Sequence, residues 1–431
     1  MAKAVFTAAG GANFIGASAY ILKLGSKNLS IDWGQGVSQN SPDGPQYDGH
    51  LDYLLISHGH TDHVGLLPAA LRRWPHLKIF ATKETKEIAK TVWHQTIHRY
   101  RDKNHFDSNR APALAPFTEN EALFAEKAII VINPGEILEL GGEIKITPIP
   151  AGHILGAVSF RIDFEGETYF FSGDTCFHES FFVPGAPLYS LDRCRLLVRE
   201  SVYLNEDFED RQKIIEDFQQ AAAGVLDRGG QLLVPALSIH RTQEMYAIAV
   251  TAGLGPVYVD GSRGATKIYQ QYAPRCGEIL ENIPRFSSHH ERTRLIRSEE
   301  PAIIIASSGM VYENTLSAIW AENLLFREKC AIFTVNYQDP CGQGFVLNNS
   351  RKGQYIPFNG GIIQRLCEIR HFPLSAHMDK TDGQEMEERL NPDVVVYTHG
   401  EDKQIEKYIK ANPATANRKK IKAELGKEIE L

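Results

Sequence analysis

The stretch Ser57-His58-Gly59-His60-Thr61-Asp62-His63 decides how the rest of the chain is read. Between His58 and His63 it gathers three imidazoles and one carboxylate, directly after the apolar run Tyr53-Leu54-Leu55-Ile56. A short apolar run closed by a polar, glycine-bearing cluster is the pattern of a buried strand that ends in a tight loop. On a loop, His58 and His60 can splay toward one point while Asp62 and His63 turn toward another. Neutral imidazoles two residues apart suit zinc, and the carboxylate suits a second, harder coordination position. One loop can thereby feed two adjacent cations. A lone loop histidine carries no such implication, but four ligating side chains in this spacing do.

The composition sets the frame. A chain of 431 residues is long enough for two domains, or for one domain with a large insertion. Hydrophobic residues make up 43% and charged residues 23%, a globular balance without the signature of disorder. No apolar run approaches the roughly 18 residues of a membrane span, and the start Met1-Ala2-Lys3-Ala4-Val5-Phe6-Thr7 lacks the apolar core of a signal peptide. Six cysteines without a C-x-x-C pair read as reduced thiols, so a cytoplasmic protein is expected. The net charge of −7 gives no global attraction for nucleic acid, although bound cations would supply a local positive field.

Upstream, residues 1–32 alternate as an antiparallel meander whose last strand closes at Asp32. Downstream, helical spacing runs over Val64–Trp74 and Lys83–Arg101 around a strand at Lys78–Thr82. The basic end of the second helix, His94 to Arg101, is either a solvated face or a contact for a polyanion. Residues 102–127 read as a loop with a short helix. Strands at Ala128–Ile132, Glu143–Pro150, Glu167–Phe171 and Arg195–Arg199 follow, and the last three lead to His153, Asp174 and Glu200. From residue 206 to 370 strand and helix alternate, the mark of a parallel, doubly wound α/β unit. There Ser307, Ser308 and Gly309 sit at a strand-to-helix junction, which is either a tight turn or a place where backbone N–H groups meet phosphate. The strand Asp393–Tyr397 then leads to Thr398-His399-Gly400.

His-Gly-His-Thr-Asp-His resembles the signature of the metallo-β-lactamase superfamily. Glu200, Ser375-Ala376-His377-Met378-Asp379 and Thr398-His399-Gly400 resemble the three further motifs of its β-CASP nucleases. Pro235 to Glu244, Pro256 to Asp260, Ser307 to Met310 and Asn336-Tyr337-Gln338 are similar to segments of the β-CASP insertion, with contexts nearest the cleavage and polyadenylation specificity factor endonuclease branch. The resemblance implies a metallo-β-lactamase αββα sandwich with an inserted α/β β-CASP domain. Its parts would be residues 1–205, 206–370 and 371–431.

It further implies two Zn2+ ions, with Mn2+ as an alternative. His58, His60 and His153 would hold one ion, Asp62, His63 and His399 the other, and Asp174 would bridge them. Asp32 would support the loop from behind. Asp62, Glu200 and His377 would carry catalysis, and Ser307, Ser308, Gly309 and His377 are candidate phosphate contacts. A histidine at the third motif marks the RNA-directed branches. The implied activity is hydrolysis of single-stranded RNA by water activated between two metals, as an endonuclease or a 5′-to-3′ exonuclease. A homodimer or partners in a processing complex are possible companions, and no membrane is. Two alternatives stay open: a small-molecule ester, thioester or lactone hydrolase, and an inactive scaffold subunit.

Overall fold

The computed structural model describes residues 4–37, 42–106, 115–141, 143–187, 190–274, 277–286, 289–414 and 418–431. Two compact units divide the chain. One comprises Met1–Glu179, Pro184–Asp207 and Ala376–Leu431, the other Ser180–Val183 and Phe208–Ser375.

The first unit holds two seven-stranded sheets. One runs in the order Glu428–Glu430, Ala4–Gly10, Ala19–Leu24, Lys27–Ile31, Tyr53–Leu55, Lys78–Ala81, Ile129–Val131. The other runs Lys419–Lys422, Pro392–Thr398, Cys194–Glu200, Glu167–Phe171, Val158–Phe164, Ile144–Pro150, Leu138–Leu140. Alternate residues of both sheets meet in one core, with Phe6, Leu22, Leu24 and Leu55 from the first and Phe160, Ile162, Phe171 and Val198 from the second. Period-two alternation is what allows each strand to bury one face in this way. Truncating a fully buried ring such as Phe160 would cost about 3–5 kcal/mol.

The outer face of the second sheet carries Phe170, Leu197, Val395 and Tyr397. It is covered by Met386 and Leu390 of the helix Lys380–Leu390 and by Ile405 and Tyr408 of the helix Asp402–Ala411. In the first sheet, Tyr53–Leu55, Lys78–Ala81 and Ile129–Val131 pair in parallel, so helical crossovers must connect them. The inner face is already occupied, which leaves the outer face for Leu67–Arg73 and Lys83–Phe106. The unit is thus an αββα sandwich.

Strand direction places the chemistry. Glu167–Phe171, Cys194–Glu200 and Pro392–Thr398 run parallel, so Asp174, Glu200 and His399 emerge from the same edge of their sheet. Lys27–Ile31 and Tyr53–Leu55 are parallel as well, and bring Asp32 and Ser57 out together.

The second unit is built on a five-stranded sheet ordered Val257–Asp260, Ala302–Ala306, Gln231–Pro235, Ala331–Thr334, Glu368–His371, with every pair parallel. Fully buried Ile304, Trp320, Leu324 and Ile332 centre its core. A separate hairpin, Tyr355–Phe358 with Gly361–Gln364, adds two antiparallel strands.

Several local expectations change. The single helix expected over Val64–Trp74 is two, Thr61–Val64 and Leu67–Arg73. Asp62 and His63 therefore stand on a helical turn and not on open loop. The helix that begins at Lys83 continues to Phe106, and the short helix of the next segment is Glu119–Ala128, started by a Thr118/Glu121 capping box. Between them, residues 107–114 lie outside the described residues. Among the described residues, no helix is long and apolar enough to cross a membrane.

Candidate metal centre

Gly59 lets the signature loop pass close to its covering helix, because a Cβ there would come within 2.4 Å of Ile88 Cγ2. The loop then enters the helical turn Thr61–Val64, whose backbone is clasped from outside. The N–H groups of Ser18, Trp33 and Gln35 donate to the carbonyls of Asp62, His63 and Thr61 at 2.8, 2.8 and 3.0 Å.

Four of the five histidines of the cluster are fixed through Nδ1. His63 Nδ1 lies 2.7 Å from Asp32 Oδ2, and His153 Nδ1 lies 2.7 Å from the Ala376 carbonyl oxygen. His58 Nδ1 stands 3.0 Å from Ser57 Oγ, and His399 Nδ1 stands 3.0 Å from Ser18 Oγ. A nitrogen facing a carboxylate or a carbonyl must carry a proton, so Nε2 is the nitrogen turned inward. Asp32, fully buried, also accepts from Ser57 N and Ser57 Oγ at 2.7 Å each, so it holds the loop from behind.

Inward-turned atoms form two groups. His58 Nε2 and His153 Nε2 each lie 3.1 Å from His60 Nδ1, and Asp174 Oδ2 is 3.6 and 3.7 Å from the first two. In the second group Asp62 Oδ2 is 3.8 Å from His63 Nε2 and 3.7 Å from His399 Nε2. Asp174 reaches that group too, with Oδ2 at 3.4 Å from His63 Nε2 and Oδ1 at 3.7 Å from His399 Nε2. Ligand atoms about 2.0–2.1 Å from one tetrahedral cation stand about 3.3 Å from each other, close to the spacing found here.

The fit to cations has independent support. His63 Nε2 and Asp174 Oδ1 are buried and have no hydrogen-bond partner. Leaving such atoms unsatisfied is costly, and a shared cation removes the cost. Burial, with the neighbouring His63, holds His58 well below its ordinary value, and burial does the same for His153 beside His377; His60 is pushed down to about 4 by burial. These three are neutral at physiological pH, the state that ligates metal. Burial alone would lower His63, but the carboxylates of Asp174, Asp32 and Asp62 outweigh it and hold that imidazole well above its ordinary value. The residues fit a binding centre for divalent metal ions.

Beside it stands a third group. His377 Nδ1 is 2.9 Å from both carboxylate oxygens of Glu200, and Glu200 Oε1 also accepts from Thr175 N at 3.1 Å. Donor atoms of Asp174, Glu200 and His377 lie within 4.8 Å of one another. Burial would lower His377, but the Glu200 charge and hydrogen bond prevail and raise it to about 9. A protonated imidazole thus borders the cluster. His60, Asp62 and His377 are only partly buried and give the cluster its access to solvent.

Ser307, Ser308 and Gly309 belong to the second unit, at the end of the strand Ala302–Ala306. Their carbonyls are engaged there: Ser317 N donates to Ser307 O at 2.9 Å, Ser317 Oγ to Ser308 O at 2.7 Å, and Gln338 Nε2 to Gly309 O at 3.1 Å. Sequence reasoning overlooks Ser18, the role of Ser57, and the Ala376 carbonyl. A serine in an Ala/Gly-rich turn carries no charge or periodicity to mark it.

Residues 48–193 match the metallo-beta-lactamase superfamily and residues 239–344 match the Beta-Casp domain. The chain thus carries a metallo-beta-lactamase domain and a Beta-Casp domain. Among its relatives, "Endoribonuclease ysh-1" of Neurospora crassa is 26% identical over 92% of this chain and 52% of its own length. "Transcription termination factor FttA" of Methanocaldococcus jannaschii is 25% identical over 91% of this chain and 66% of its own length. "RNase aCSPSF2" of Saccharolobus solfataricus is 26% identical over 91% and 78%. The chain therefore spans about half the length of the fungal relative. A crystal structure of a protein of unknown function from Enterococcus faecalis shares the fold, with a TM-score of 0.59 at 14% identity over 100% of both chains.

Proposed function

We propose that this chain is a zinc-dependent ribonuclease that hydrolyses phosphodiester bonds of single-stranded RNA. His58, His60, His153 and Asp174 hold one cation. Asp62, His63, His399 and the same Asp174 hold the other, with manganese able to substitute. Imidazole-rich sites with few carboxylates favour zinc. When bound, such a pair supplies Lewis acidity and a water acidified toward neutral pH.

The protein's own part follows from the geometry. Asp32, Ser57, Ser18 and the Ala376 carbonyl fix the imidazoles, so the ligands need no reordering when substrate arrives. Glu200 keeps His377 charged at physiological pH. From that position His377 pairs with a non-bridging phosphate oxygen and gives its proton to the departing oxygen. The observation that carries the reading is this Glu200–His377 pair at the edge of the cluster. Ester or lactone hydrolysis does not require a cationic acid there, whereas a phosphodiester with a poor alkoxide leaving group does. The names of the relatives support RNA as the substrate, and Ser307 to Gly309 are proposed as further phosphate contacts.

The test is a denaturing gel of 5′-labelled single-stranded RNA incubated with pure protein, with a chelator-treated control. Chelator-sensitive internal cuts support an endonuclease, and a labelled mononucleotide alone supports 5′-end decay. RNA left intact while a thioester or lactone is hydrolysed would overturn the reading.

A further inference from the structure

The two imidazoles of the second ligand group are not held alike. His63 donates its Nδ1 proton to the Asp32 carboxylate at 2.7 Å, whereas His399 has only a neutral hydroxyl, Ser18 Oγ, at 3.0 Å. Ser18 is fully buried in the turn between the first two strands, 381 residues from His399 in sequence. It also touches the other end of the same ligand group. Its backbone N–H donates to the Asp62 carbonyl at 2.8 Å, and its carbonyl accepts from Gly34 N at 2.9 Å. The surroundings leave the hydroxyl little choice of role. The backbone N–H of His399 and the Tyr20 hydroxyl both donate to the Gly11 carbonyl, at 2.8 and 3.2 Å. Ser18 Oγ, which also pairs with the Tyr20 hydroxyl, is thereby left as the acceptor that His399 Nδ1 meets.

We infer that Ser18 is the positioning residue of the second cation site: it fixes the His399 tautomer that presents Nε2 and sets how tightly that cation, and not the first, is held. The inference rests on the cluster binding two cations and is independent of whether the substrate is RNA. A histidine without a hydrogen-bonded Nδ1 can swing, or can place its proton on the nitrogen meant for metal. A hydroxyl orients the ring but adds less basicity than a carboxylate, so of the two imidazoles of this site His399 depends the more on being held in place.

The test is calorimetric titration of the metal-free protein with Zn2+, for wild type, Ser18→Ala, Ser18→Thr, His399→Ala and the Ser18→Ala/His399→Ala double variant. Wild type should take up two equivalents. Ser18→Ala should leave one equivalent unchanged and weaken the other roughly 10- to 100-fold. Ser18→Thr, which retains the hydroxyl, should recover most of that loss. In the double variant the serine change should add nothing to the loss caused by His399→Ala, because a residue that acts through another loses its effect once that residue is gone. Equal thermal midpoints of the metal-free proteins separate this from misfolding; if Ser18→Ala fails to fold, Ser18→Cys takes its place in the same series. Unchanged affinity of both equivalents, equal weakening of both, or an additive loss in the double variant would overturn the inference. Uptake of no cation by wild type would overturn it together with the metal reading of the centre, whereas intact RNA with normal uptake would overturn only the ribonuclease reading.

Discussion

Two buried clusters of charge, one in each unit, are built in opposite ways. In the second unit Glu244 is buried, with Arg211 Nη2 on Oε1 at 2.6 Å, Arg241 on Oε2, and the N–H of Phe181 on Oε1 at 3.3 Å. Asp260 is likewise closed, with Arg292 Nη2 on Oδ1 and Trp320 Nε1 on Oδ2, both at 2.9 Å. Carboxylate meets guanidinium, and the charge is balanced within the fold. In the first unit, seven buried or half-buried ligand side chains turn toward one another, and His63 Nε2 and Asp174 Oδ1 have no hydrogen-bond partner. A charge closed on itself serves structure, and one left open toward a common point serves a ligand. The contrast separates a scaffold network from a centre without appeal to any relative.

The sharpest way to break the comparison is Asp174→Asn. This carboxylate belongs to both ligand groups, so metal content measured by elemental analysis should fall below two equivalents and RNA cleavage should drop by at least about a hundredfold. Next, His377→Gln should leave metal content unchanged while lowering the cleavage rate by about a hundred- to ten-thousandfold, as loss of a proton donor does. A parallel fall in metal content would make His377 a ligand instead. In the second unit Glu244→Gln should leave metal uptake intact and destabilise the protein by about 3–5 kcal/mol in denaturant titration, since two arginines lose their buried counter-charge.

The same network has a pH signature. Burial would raise Glu244, but Arg211 and Arg241 outweigh it and hold the carboxyl far below its ordinary value. Its contribution is therefore complete above the unfolded value of about 4.3 and is lost as the pH falls from there toward the folded one. Wild type should lose stability on acidification through that window, and Glu244→Gln should lose less of it. A smaller loss than that of Glu244→Gln is expected for Trp320→Phe, which removes one hydrogen bond to a carboxylate that Arg292 still satisfies and leaves a small cavity in the core, and should cost about 2 kcal/mol.

Much of this arrangement is legible in the sequence, for identifiable reasons. Strands such as Tyr53–Leu55, Glu167–Phe171 and Pro392–Thr398 end in charged or imidazole side chains, and polar groups at the end of a buried strand advertise a site. The strand Val158–Phe164 escapes notice, although its apolar residues alternate at Val158, Phe160, Ile162 and Phe164. The helix Lys380–Leu390 is harder to see. Its inward face is Gly383, Met386, Glu387 and Leu390, because Arg199 lies where a Gly383 Cβ would stand, at 2.0 Å, and pairs with Glu387 at 3.1 Å. A glycine and a buried glutamate on the inner face defeat hydrophobic periodicity. The supports of the imidazoles are invisible for a different reason. Ser18, Ser57 and the Ala376 carbonyl act as neutral acceptors or through the backbone, and only the folded chain brings them to His399, His58 and His153.

The central claim is that the open cluster of the first unit is built for two divalent cations. Elemental analysis of the chain after incubation with Zn2+ and gel filtration tests it directly, with Asp174→Asn and Glu244→Gln run alongside. Two equivalents per chain in wild type and in Glu244→Gln, and fewer in Asp174→Asn, is the predicted result. Wild type carrying no zinc, or Asp174→Asn carrying as much as wild type, would contradict it.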